Sequence, residues 1–84
     1  MDEGERISAF LDEFKLDKKY TANKFYTWHN KLTGSCEFGR RQFANDNDIN
    51  LEIDTMTVAE FIELTKNSYG KEIIAKVSKI IKKQ

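Results

Sequence analysis

The sequence predicts an all-α fold, a compact bundle of about five short helices with one extended segment near residues 49–55. Apolar residues recur at helical spacing through most of the chain, Thr57 to Glu60 form a helix-starting pattern, and there is no proline to break a helix. With 84 residues, 39% of them hydrophobic and 33% charged, the chain has apolar material for one modest core and too little for two. Residues 1–84 are therefore read as a single helical domain.

Over residues 4–16, Ile7, Phe10, Leu11 and Phe14 fall at i, i+3, i+4 and i+7, which makes one apolar stripe on a first helix. Lys18, Lys19 and Tyr20 form a polar joint, and the Thr21 hydroxyl is placed to accept from the orphan amides of a second helix, 21–32. On that helix Phe25, Trp28 and Leu32 share the core face with His29 beside them, and Tyr26 points elsewhere. Gly34 supplies the left-handed residue that stops it. Ser35 offers a cap to a third helix, 36–46, which tolerates Gly39 at about 1 kcal/mol relative to alanine.

The run Asn45, Asp46, Asn47, Asp48 favours a turn, because these side chains bond to their own backbone. Residues 49–55 alternate apolar and polar, the pattern of an extended piece, although a lone strand has no sheet to join. Thr57-Val-Ala-Glu60 is a capping box, in which hydroxyl and carboxylate each satisfy the other residue's backbone amide. The helix it starts carries Val58, Phe61, Ile62, Thr65 and Tyr69 on one face and ends at Gly70. A last helix, 71–83, sets Ile73, Ile74, Val77, Ile80 and Ile81 against Lys76, Lys79, Lys82 and Lys83.

Composition excludes several functions. One cysteine and one histidine cannot assemble a zinc site or an internal disulfide. The acidic start lacks the cationic and apolar regions of a signal peptide, and no apolar run reaches membrane-spanning length, so a cytoplasmic location and no membrane partner are expected. His29 and Cys36 are the one possible Cys/His nucleophile pair, and nothing in their spacing demands contact. Asp46, Asn47, Asp48 and Asn50 resemble calcium ligands but lack the loop's spacing, central glycine and bidentate glutamate. Gly34 and Gly39 match neither phosphate-binding fingerprint. No catalytic residue, metal, cofactor or small-molecule substrate is implied.

Charge is uneven although the net charge is zero: residues 18–43 hold six basic groups and one acidic, while residues 44–63 hold six acidic groups and none basic. The 20–43 stretch also contains six of the ten aromatic residues. On a helical wheel, Cys36, Gly39 and Phe43 share one face of helix three, and Phe38, Arg41, Gln42 and Asn45 the opposite one. Aromatic and arginine side chains dominate interface energetics. Phe38, Arg40, Arg41, Gln42, Asn45 and Tyr26 are therefore the candidate partner-binding residues, with another protein as the expected partner. The alternative is a helix-turn-helix DNA binder built from helices 21–32 and 36–46, whose Arg, Gln and Asn side chains suit base edges. The neighbouring acidic run opposes that reading, because it repels phosphate.

The strings FYTWHNKLTGSCEFGRRQF (25–43) and MTVAEFIELTKNSYGKEII (56–74) resemble small helical proteins carried by phages and mobile elements of Gram-positive bacteria. The resemblance covers most of the chain and implies a regulatory or inhibitory protein acting by contact. It carries no site residue.

Overall fold

The computed structural model describes residues 2–34 and 37–83, with side chains for all of these except 37–40. Among the described residues the order of elements is α1 (Glu3–Glu13), β1 (Tyr20–Thr21), α2 (Ala22–Thr33), α3 (Glu37–Asp46), β2 (Thr55–Met56), α4 (Val58–Thr65) and α5 (Lys71–Lys82). The chain is mostly helical but not all-α, because β1 and β2 pair antiparallel with Tyr20 opposite Met56 and Thr21 opposite Thr55. The strand predicted near 49–55 is therefore corrected. Only its end is extended, residues 51–53 are turn, and the pairing partner is the Tyr20 joint. Two-residue strands leave almost no alternation to detect.

Asp2 caps α1, its carboxylate accepting from the Glu5 amide at 2.8 Å, and Glu3 and Glu5 favour the positive end of the helix. The helix stops short of residue 16 because Phe14 is extended (φ −116°, ψ 127°). That bend lays its ring flat on Phe25, with centroids 4.5 Å apart and planes 10° apart. Phe25 in turn stacks on Phe61 at 4.8 Å. This column of rings ties α1 to α2 and α4, each such pair adding about 0.5–1.5 kcal/mol beyond its buried area. Phe10, Ile7, Leu32, Met56, Val58, Ile74 and Val77 complete the buried cluster. The Cα radius of gyration, 11.9 Å, matches the value of about 12 Å for a compact chain of this length.

The buried face of α2 differs from expectation. Ala22, Phe25, Tyr26, His29 and Leu32 are buried, and Trp28 is half-buried. Tyr26 is interior because α2 is covered on a second side: its ring meets Phe43 of α3 at 5.8 Å and Phe61 of α4 at 5.6 Å. α4 also ends early, at Thr65, whose buried hydroxyl donates back to the Phe61 carbonyl at 2.8 Å while the Ser68 hydroxyl donates to the Thr65 carbonyl at 2.9 Å. Tyr69, predicted on the core face, is consequently 67% exposed. Gly70 then adopts φ 80° and opens α5. The capping box is formed as predicted, with Glu60 N–H donating to Thr57 Oγ1 at 3.2 Å and Thr57 N–H to Glu60 Oε1 at 2.9 Å.

Candidate interaction surface

The surface is built where α3 ends. Asp48 takes a left-handed conformation, φ 58°, the amide of Ile49 donates to the Ala44 carbonyl at 2.8 Å, and that of Asp48 to Asn45 at 3.2 Å. This is the Schellman closure of a helix, usually made with glycine, and here Ile49 packs toward the core beside buried Ala44. Asparagine and aspartate are among the few side chains that tolerate the left-handed region, so the Asn/Asp run is what allows α3 to stop there.

Residues 50–54 then form a single closed turn. The Asp54 amide donates to the Asn50 carbonyl at 2.9 Å. The Asn50 amide donates to Asp54 Oδ2 at 2.7 Å, and the Glu52 amide to Asn50 Oδ1 at 3.1 Å. Carbonyls of this turn cap α2, the amides of Ala22 and Asn23 donating to those of Asp54 and Leu51, both at 2.8 Å, while the Lys24 amide donates to the helix's own cap, Thr21 Oγ1, at 3.3 Å. Three of the orphan donors at the start of α2 are thereby satisfied, and the two bonds to Asp54 and Leu51 anchor the turn to the helix.

Two features result. A cleft of about 570 Å³ opens between α3, the start of α2 and the turn, lined by Asn23, Arg41, Asn45, Asp48, Asn50 and Glu52 with apolar contributions from Ala44, Ile49 and Leu51. Beside it the turn holds up Ile53, 72% exposed, between Glu52 and Asp54. Of the predicted partner-binding residues, Arg41, Gln42 and Asn45 are exposed together on α3, and Arg41 and Asn45 line the cleft. Phe38 and Arg40 lie outside the described side chains, as does Cys36. Tyr26 is corrected: at 2% exposure it belongs to the core and cannot meet a partner in this fold.

Sequence reasoning missed Asn23, Glu52 and Ile53. The available signal was Asn50 and Asp54, two side chains able to cap backbone amides at either end of one turn, which would have placed Ile53 at its outer side. His29 is buried, with its Nδ1 3.4 Å from Thr33 Oγ1 and its ring against Tyr26 and Phe61. Among the described residues no three His, Cys, Asp or Glu side chains gather to hold a metal ion, and no helix is long and apolar enough to cross a membrane. No protein-family model, curated protein or solved structure matches the chain.

Proposed function

We propose that this chain is a non-catalytic protein-binding module, regulatory in role, whose contact surface joins Arg41, Gln42 and Asn45 on α3 to the turn that presents Ile53. The observation that carries it is Ile53 itself, 72% exposed on a turn closed by four hydrogen bonds, one of them from its own amide to the Asn50 carbonyl, and anchored to α2 by two more. A bulky apolar side chain carried on a hydrogen-bonded turn loses little backbone freedom on docking, which favours its use as an anchor. Its surroundings select the partner: Asp46, Asp48, Glu52 and Asp54 are all exposed, so the complement is an apolar pocket rimmed by basic groups on another protein.

The same carboxylates weigh against the helix-turn-helix reading. α3 delivers the chain straight into them, so a phosphate backbone alongside Arg41 and Asn45 would meet repulsion. The test is affinity capture from cells with wild-type protein and the Ile53→Ser and Arg41→Ala variants. A protein retained by wild type and lost with both variants supports the reading. Capture of nuclease-sensitive material through Arg41 alone would favour DNA, and equal capture by all three would move the site elsewhere.

A further inference from the structure

On α2, lysine ammonium groups lie over aromatic rings. Lys31 Nζ sits 4.4 Å from the centroid of Trp28, and Lys24 Nζ sits 4.6 Å from that of Tyr20 and 5.1 Å from that of Phe14. Residues 24, 28 and 31 follow at i, i+4 and i+7, so they share one face of the helix. On the inner side Trp28 meets Phe10 and Phe14 edge-on at 6.3 and 6.2 Å, and Tyr20 meets Phe14 and Phe25 edge-on at 5.0 and 5.9 Å. Both Trp28 and Tyr20 are half-buried, and the heads of flexible lysines lie over their rings.

More cations surround them. The Lys15 amide donates to Tyr20 Oη at 2.9 Å, which folds the 15–19 segment back against this ring; Lys15, Lys18 and Lys19 are exposed, Lys19 lying within electrostatic reach of Glu60. Residues 14–34 contain five lysines and a single acid, Asp17. Glu13 of α1 pairs with Lys24 at 3.1 Å.

We propose that this face binds single-stranded nucleic acid, with bases stacking on Trp28 and Tyr20 in place of the lysine heads, which swing outward to the phosphates. The ligand must offer both negative charge and flat π surfaces. An acidic polypeptide supplies charge but little to cover the rings, and a duplex keeps its bases inside. Base–aromatic stacking along a cationic face is the mode by which sequence-tolerant single-strand binders work. This face adjoins the turn where the amides of Ala22 and Asn23 meet Asp54 and Leu51, but it uses neither Ile53 nor the protein-binding reading.

Trp28 is the one tryptophan of the chain, so its own fluorescence reports on the site. Titration with an oligo(dT) strand should quench that emission. With three phosphate contacts the affinity should fall roughly twentyfold between about 50 and 200 mM salt, following a logarithmic slope of about −0.7 per contact. Lys31→Ala should weaken binding and make the slope shallower by about 0.7, with an unchanged circular dichroism spectrum. Glu13→Gln, which releases Lys24 from its ion pair, should tighten binding, and Ile53→Ser should leave it as in wild type. The proposal is overturned if oligo(dT) causes no quenching, if Lys31→Ala binds with the same salt slope, or if poly-glutamate binds as tightly with the same change in emission. That last outcome would mean the face reads charge alone and that an acidic protein is its partner.

Discussion

Thr33, the last residue of α2, and Gly70, the cap of α5, touch so closely that a Cβ built on Gly70 would lie 2.3 Å from Thr33 Cγ2 and 2.5 Å from its Cβ. Gly70 also has φ 80°, a conformation that costs an ordinary residue about 1–2 kcal/mol. Gly34 shares that backbone, φ 77°, but a Cβ there meets nothing within 4 Å among the described residues. Gly34→Ala should therefore lower stability by about 1–2 kcal/mol. Gly70→Ala should lose more, because overpacking adds about 1–3 kcal/mol. Chemical denaturation of the two variants side by side checks this, and equal losses would show that the Thr33 contact relaxes freely.

The features legible in the sequence were those with local causes. Thr21, Gly34 and the Thr57–Glu60 box each act within a few residues of themselves, so the starts of α2 and α4 and the end of α2 could be placed by inspection. What failed depended on partners distant in sequence. A single apolar stripe on α2 would leave Tyr26 outside, whereas α3 and α4 cover a second side through Phe43 and Phe61. Tyr69 kept helical register with Phe61 and Thr65, yet α4 ends at Thr65 and the chain turns at Ser68. The pairing of Thr55–Met56 with Tyr20–Thr21 joins the end of the 49–55 segment to a joint that no sequence pattern marks as a strand. Helical spacing marks Arg41, Gln42 and Asn45 as one face of α3, and all three are exposed, whereas residues 51–53, whose alternation suits a strand, form a turn.

Tyr26 gives an alkaline prediction. Its hydroxyl is buried without a hydrogen-bond partner among the described residues, and that burial pushes its pKa from 10.0 up to about 12. The folded state therefore holds the proton after the unfolded chain has released it. The stabilising contribution is full below pH 10 and lost as pH rises toward 12, by roughly 2–3 kcal/mol at about 1.4 kcal/mol per pKa unit. Tyr26→Phe keeps the ring and removes both the titration and an unsatisfied polar atom. At neutral pH it should match or exceed wild-type stability, and the difference should widen in its favour above pH 10. Urea midpoints of the two proteins across this range decide it, and a variant less stable at every pH would mean that the hydroxyl has a partner.

At the start of α4 the Thr57 amide and hydroxyl, and more weakly Lys19, hold the Glu60 carboxyl below its ordinary value of 4.5. Because the folded value is the lower one, this contribution is present at neutral pH and fades as pH falls through the folded value. Thr57→Ala should cost about 1 kcal/mol, as loss of a cap does. As pH falls from about 4.5 through the folded value, the wild type should lose more stability than Glu60→Gln, which has no carboxylate to protonate. Parallel pH dependences for the two proteins would count against the reciprocal pair.

Ile53 and Asp54 separate contact from support in the proposed protein interface. Ile53 is 72% exposed, so Ile53→Ser should leave stability within about 0.5 kcal/mol of wild type while weakening partner binding by about 2 kcal/mol, the loss of an anchor. Asp54 acts through the turn: its carboxylate accepts from the Asn50 amide at 2.7 Å, and its carbonyl accepts from the Ala22 amide at 2.8 Å. Asp54→Ala deletes the first bond and keeps the second, so stability should fall by about 1 kcal/mol. Affinity should also fall, because Ile53 remains but must now be ordered on docking. Asp54→Asn retains an acceptor oxygen for the Asn50 amide and should restore most of both losses, apart from what the removed charge contributed to attracting a basic rim. Isothermal titration with the captured partner distinguishes these cases, since a loosened turn shows as a larger unfavourable entropy and a lost anchor as a smaller change in heat capacity. If Asp54→Ala binds with wild-type affinity and entropy, the turn contributes no rigidity, and Ile53 acts as a flexible surface contact.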